Sequence, residues 1–183
     1  MGQKLKITEM DRLSVEAFRQ SRKMPLVVVL DHVRSMYNVG SVFRTSDAYR
    51  VERILLCGIT ATPPHVEIHK TALGAEDSVA WEYFASTDEA VRQLRAEGYT
   101  LLAVEQAHDS IPLQSFIPRK DAKYAIVLGN EVKGVQQSVV DLCDYCLELP
   151  QFGTKHSLNV STTAGIVIWE MAKSLLGLLE GQS

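Results

Sequence analysis

The run Leu26-Val27-Val28-Val29-Leu30 leaves this chain few options. It has no polar side to turn toward water, so a strand formed from it must be covered on both faces. Parallel sheets meet that condition, because their crossover segments lie over the faces. Similar runs recur at Arg53-Ile54-Leu55-Leu56-Cys57, at Thr100 to Val104 and at Tyr124-Ala125-Ile126-Val127-Leu128. Segments of helical period separate them, no repeat is visible, and 183 residues suffice for one sizeable core. The pattern predicts a single-domain α/β protein, a mostly parallel sheet with helices on both faces.

Along the chain, Thr8 to Gln20 has the spacing of an amphipathic helix that Pro25 ends, so residues 1–25 read as a short helical extension and 26–183 as the domain. Asn38 is a good N-cap for a helix through Val42, Phe43 and Ala48. Gly58 to Ala80 reads as a loop with a short helix, and Trp81 to Phe84 as a strand. Thr87 caps a helix that Gly98 closes. Glu105 to Pro118 reads as a polar connection, and a short helix follows through Val139, Val140 and Leu142. Cys146-Leu147-Glu148-Leu149 alternates like a strand and stops at Pro150. The last helix carries a stripe at Ile168, Met171/Ala172, Leu175 and Leu178/Leu179.

Composition removes several classes. Hydrophobic content of 46% with 22% charge is that of a folded globule. No segment has the length of a membrane span or the plan of a secretory signal, and three cysteines suit a reducing cytoplasm. Cys143-x-x-Cys146 enters a strand instead of opening a helix and has no second pair, so neither redox nor zinc chemistry is expected there. His65-x-x-x-His69 follows two prolines and lacks the order of a zinc helix, and no metal is expected. The charge of −3 excludes a uniformly basic surface but not local patches, such as Arg19, Arg22 and Lys23. Gly129-x-x-x-x-Gly134 has phosphate-loop spacing, but Val135-Gln136 stands where Lys-Ser/Thr is required. No dinucleotide fingerprint follows a strand, and Val39-Gly40-Ser41-Val42-Phe43 is not a nucleophile elbow.

Three separated clusters remain: Asn38-x-Gly40-x-x-x-Arg44-Thr45, Leu128-Gly129-Asn130-Glu131-x-x-Gly134, and Leu149-Pro150 through Ser157-Leu158-Asn159-Val160-Ser161. By residue type alone, Ser157, Asn159 and Ser161 are also ordinary turn and capping residues. In order and spacing, however, the three clusters resemble the motifs of the SpoU (TrmH) family of RNA ribose 2′-O-methyltransferases, in the SPOUT superfamily, across roughly Leu26 to Glu180. The resemblance implies an α/β fold whose C-terminal segment forms a deep trefoil knot, an exception to the rule against knots. It implies S-adenosylmethionine as cofactor, with S-adenosylhomocysteine as product, held in a bent shape largely by backbone groups. Glu105, Gln106, Leu128, Gly129, Leu149, Ser157 and Leu158 would surround it. It also implies a homodimer, with the final helix stripe and the first-motif helix as interface candidates.

The same resemblance assigns the catalytic group to Arg44, Asn38, Glu131, Ser157 and Asn159. Arg44 would serve either as the general base or, because a guanidinium is a poor base, by binding the neighbouring phosphate and stabilising the developing alkoxide, the role favoured here. Asn38 would orient Arg44 and the ribose, and Glu131 would hold Asn38 or Arg44. The substrate would be RNA, with structured tRNA favoured over rRNA because only about twenty-five residues precede the first strand. A non-catalytic RNA-binding protein and an RNA base methyltransferase are the alternatives.

Overall fold

The computed structural model describes residues 2–6, 9–175 and 177. Its elements, in chain order, are α1 (Val15–Gln20), β1 (Met24–Asp31), α2 (Met36–Ala48), β2 (Val51–Cys57), α3 (Val66–Ala72), α4 (Ala75–Ser78), β3 (Ala80–Phe84), α5 (Thr87–Ala96), β4 (Tyr99–Val104), β5 (Ile111–Pro112), β6 (Lys123–Leu128), α6 (Gln137–Val140), β7 (Tyr145–Glu148) and α7 (Val160–Leu175). The seven strands form one sheet in the order β3-β2-β1-β6-β4-β7-β5. Every pairing in it is parallel.

β1 shows why its run must be apolar throughout. Leu26, Val28 and Leu30 point into a core with residues of α2, α3 and α7. Val27 and Val29 point into a second core with Ala90, Val91 and Leu94 of α5 and Val139 of α6. Helices therefore cover both faces, and the central strand is sealed from water on each.

Several local expectations change. The first helix is only α1; Ser14 caps it by accepting a hydrogen bond from the Ala17 amide at 3.1 Å. Thr8, the expected start of that helix, lies outside the described residues. Pro25 does not end the helix but sits inside β1, where the register shifts between Met24 and Val27. Proline has no N–H for the ladder, and the irregularity accommodates it. Phe18 of α1 is buried in the first core, so the extension is docked on the domain. Ser35, not Asn38, caps α2, and Ser86, not Thr87, stands at the cap of α5. Gly58 to Ala80 holds two helices, and the connection after β4 contains the two-residue β5.

The stripe of the last helix faces inward: Ile168, Met171, Ala172 and Leu175 are fully buried in the chain's own core. It is not an interface. Leu178 and Leu179 lie outside the described residues.

α2 and α3 approach closely at Gly40. A Cβ there would stand 2.2 Å from the Ile68 carbonyl oxygen and from Thr71 Oγ1. Gly40→Ala is expected to push the helices apart and destabilise the fold by about 1–3 kcal/mol, a typical cost of overpacking. Urea unfolding would show this as a lower midpoint at unchanged slope; an unchanged midpoint would mean that α3 yields freely.

Candidate active site

The loop after β6 is shaped by its own residues. Asn130 and Gly134 exchange backbone hydrogen bonds at 3.0 and 2.9 Å, which folds the segment into a hairpin. The Asn130 side-chain oxygen accepts from the Val132 and Lys133 amides at 2.9 and 3.1 Å, and its amide donates to the His32 carbonyl at 2.7 Å. A Cβ on Gly129 would lie 2.1 Å from the Gly134 carbonyl carbon. Gly134 has φ +69°, and a Cβ on it would meet Glu105 Oε2 at 2.0 Å. Both glycines are required by the turn itself. Asn130 belongs to the second motif, but the family resemblance gives it no role. Its signal in the sequence is an asparagine opening a tight turn, a position where that side chain substitutes for a backbone acceptor.

This loop, the end of β4 and the segment after β7 enclose a cleft of about 300 Å³ outside the carboxyl ends of the strands. Glu105, Gln106, Leu128, Gly129, Leu149, Ser157 and Leu158 all line it. The position matches where open α/β sheets take ligands. Glu105 also braces the backbone around it, its two carboxylate oxygens accepting from the Gln106 and Val135 amides, both at 2.9 Å. Gln106 Nε2 donates to the His156 carbonyl at 2.9 Å, tying the segment after β7 across the mouth.

At the edge of the cleft, whose lining includes Glu131, three of the five expected catalytic residues form one chain. Glu131 accepts from the Arg34 and Ser35 amides, each at 3.0 Å, and from Asn38 Nδ2 at 3.1 Å. Asn38 Oδ1 then accepts from Asn159 Nδ2 at 3.1 Å. Asn159 Oδ1 accepts from the Ser161 and Thr162 amides at 2.9 and 3.3 Å, so this residue also caps α7. The direction of the chain is set from its ends, because a carboxylate can only accept and helix-start amides can only donate. Burial pushes the Glu131 carboxyl up, but the amides of Arg34, Ser35 and its own residue, with Asn38, outweigh it. The group stays ionised below the usual carboxylate range.

The other two residues stand differently. Ser157 is in the cleft wall. Arg44 is exposed on α2, away from the cleft, in a groove of about 600 Å³ between α2, α4 and the segment before α1. Asn38 therefore does not orient Arg44 within one chain, and Glu131 holds Asn38, not Arg44. The reason is spacing: positions six apart on a helix face different sides.

The remaining motifs are structurally occupied. Burial pushes the Cys143 thiol up to about 12, with Asp144 and Cys146 adding to it, and burial also raises Cys146. Both thiols stay protonated and unreactive at neutral pH. His65 caps α3, and His69 Nδ1 lies 2.5 Å from Glu76. Among the described residues, no cluster of histidine, cysteine and carboxylate groups could hold a metal ion, and no helix is long and apolar enough to cross a membrane.

A parallel α/β sheet with a looped cleft beyond its strand ends, flanked by a hydrogen-bonded Glu–Asn–Asn chain, has the plan of a doubly wound domain. Residues 25–169 match the SpoU rRNA Methylase family, and the chain belongs to that family. It is 28% identical over 146 residues to the 23S rRNA (guanosine-2′-O-)-methyltransferase RlmB of Neisseria meningitidis serogroup B, covering 80% of this chain and 57% of that one. Over 161 residues it is 29% identical to the mouse tRNA (guanosine(18)-2′-O)-methyltransferase TARBP1, covering 86% of this chain and 10% of that protein. The chain thus spans little more than half of the first relative and a small part of the second. The AdoMet-bound rRNA methyltransferase from Sinorhizobium meliloti superposes with a TM-score of 0.77 at 28% identity, over 90% of this chain and 62% of that one. The A. aeolicus TrmH/SpoU tRNA modifying enzyme shares the fold, with a TM-score of 0.77 at 22% identity over 87% of this chain and 81% of that one.

Proposed function

We propose that this chain transfers a methyl group from S-adenosylmethionine to a ribose 2′-hydroxyl of structured RNA, with tRNA the first pool to test. The observation that carries this reading is the cleft, whose wall holds every residue expected at the cofactor while the hydrogen-bonded chain of Glu131, Asn38 and Asn159 runs beside it.

The cleft suits such a cofactor. Leu128, Leu149 and Leu158 offer apolar walls to an adenine ring, and the hairpin from Gly129 to Gly134 adds backbone to the lining. The cofactor supplies an already activated methyl group when bound. The protein's part is then mostly placement. Asn38 and Asn159 are locked in one orientation and would position the ribose, and Ser157 would complete the wall. The Arg44 guanidinium would hold the adjacent phosphate and the charge that develops on the 2′-oxygen. The proton leaves to that phosphate or to water.

Because Arg44 lies outside its own chain's cleft, the reading needs a second copy to bring it to the reacting ribose. Trp169 and Ile166 of α7 are 46% and 41% exposed, opposite the buried stripe, and Trp169 lies beside Tyr49 with ring centroids 5.9 Å apart. This face is the one we assign to a homodimer. Trp169→Asp is expected to give monomers in sedimentation and to depress methyl transfer, while thermal stability of the fold persists. A dimer that survives the substitution would place the contact elsewhere. We further propose that the segment from Leu149 into α7 is threaded as a deep trefoil knot. The tie from Gln106 to His156 and that from Asn159 to Asn38, which hold this segment between the β4 and first-motif loops, support it. Residues 26–183 would then be the methyltransferase unit working in the cytoplasm, with 1–25 as a short docked extension.

The test is transfer of labelled methyl from S-adenosylmethionine to separated tRNA and rRNA pools, with nucleosides mapped afterwards. A 2′-O-methylated nucleoside is the expected product. Methyl on a base would move the reaction off the ribose, and RNA binding without cofactor binding would leave a non-catalytic protein.

A further inference from the structure

Asp31, the last residue of β1, is fully buried yet lines no part of the cleft. Its Oδ1 accepts from Thr87 Oγ1 at 2.6 Å and from Gln136 Nε2 at 2.8 Å, and its Oδ2 accepts from the Gln136 amide at 2.8 Å. No cation pairs with it among the described residues. A carboxyl group without a counter-charge is costly to bury, and three donors offset that cost only if each is well placed.

Two of the donors belong to Gln136, which follows the hairpin lining the cleft by two residues. The preceding amide, Val135, is held by the Glu105 carboxylate at 2.9 Å from the end of β4. At its other end, the hairpin is held by Asn130 on the His32 carbonyl at 2.7 Å, next to Asp31 in the chain. Adjacent residues of β1's outlet therefore grip both ends of the loop, and β4 grips the exit a second time. The loop has no apolar side chain in the core before Val135, so these polar ties set its position.

We infer that Asp31 and Gln136 are positioning residues that set the cofactor affinity of the cleft from beneath it, without touching the ligand. The clamp fixes where the backbone between Gly129 and Gly134 stands against the cofactor. Thr87, on α5, ties the same carboxylate to a neighbouring helix and has no bond to the loop. This inference rests on the cofactor reading given above.

Three variants separate positioning from bulk stability: Gln136→Met, which keeps length and removes the side-chain donor, Asp31→Asn, and Thr87→Val. Calorimetric titration of each full chain with S-adenosylmethionine and S-adenosylhomocysteine would be paired with melting and with amide exchange across residues 129–136. Gln136→Met is expected to weaken both ligands roughly tenfold, the scale of one charge-assisted hydrogen bond, with little change in melting. Asp31→Asn should weaken them further and speed exchange in the hairpin. Thr87→Val should lower the melting temperature while leaving cofactor affinity and hairpin exchange in place. Adding Gln136→Glu to Asp31→Asn exchanges the donor and acceptor sides and should recover part of the affinity. Equal cofactor affinity in Gln136→Met and the unsubstituted chain would overturn the inference alone, as would a Thr87→Val affinity loss matching that of Asp31→Asn. No binding by the unsubstituted chain would overturn the cofactor reading and the inference with it.

Discussion

Arg44→Ala is expected to reduce methyl transfer by at least about 10²-fold, the usual cost of losing a donor aimed at developing negative charge. Cofactor affinity should stay within about twofold, well under 1 kcal/mol, because Arg44 lies outside the cleft and no hydrogen bond or ion pair holds it among the described residues. Stability should also hold, since an exposed side chain without partners is cheap to remove. Single-turnover rates measured beside cofactor titration would separate these effects. If the arginine also grips a phosphate, the apparent affinity for RNA falls and its salt dependence flattens by about one unit. A parallel loss of cofactor binding would instead show that Arg44 supports the structure of α2.

Glu131→Ala should damage both activity and fold. One carboxylate holds the Arg34 and Ser35 amides ahead of α2 and the side chain of Asn38. Without it these donors turn to water where they can, and Asn38 loses the partner that fixes its orientation. A loss of roughly 1–3 kcal/mol in stability is expected, toward the low end because water reaches part of the group. Transfer should fall with kcat more affected than cofactor affinity, because the residue acts through Asn38.

The pH dependence follows from the same contacts. The folded Glu131 carboxyl sits below its unfolded value, so its contribution is fully present above that value and disappears as pH falls through the folded one. The loss should therefore begin near pH ~4.3, the ordinary glutamate range, and continue below it. Glu131→Gln should flatten this part of the melting-temperature profile. An acid limb of unchanged steepness would assign the effect to other carboxylates.

Much of the architecture is legible in the chain because burial on both faces demands unbroken apolar runs, and β1, β2, β4 and β6 all have them. Edge elements are less legible. β5 is two residues long and one of them is proline, so it has neither period nor run. The start of α2 is hard to place because Ser35 and Asn38 are both good caps, and a carboxylate 96 residues away decides between them by holding the Ser35 amide. The lining of the cleft is legible through the motifs, whose glycines and leucines gather around it. The separation of Arg44 from Asn38 follows from helical spacing, but the homodimer proposed to reunite them has no signal in that spacing. The final helix misleads for a different reason. A stripe of large apolar residues says that something is covered, and here it is the chain's own sheet, leaving Trp169 and Ile166 on the other side.

The hydrogen bonds that join Asn38 to Glu131 and to Asn159 span 93 and 121 residues of chain. A nascent polypeptide that has emerged only through β6 already contains most of the sheet, including all of the first core's strand residues up to Leu128. It still lacks Leu149, Ser157, Leu158 and Asn159, and with them one wall of the cleft. At ordinary synthesis speeds of about 5–20 residues per second, that gap is a matter of seconds. The chain would thus pass through an interval in which most of the sheet is in place while the cleft still lacks a wall.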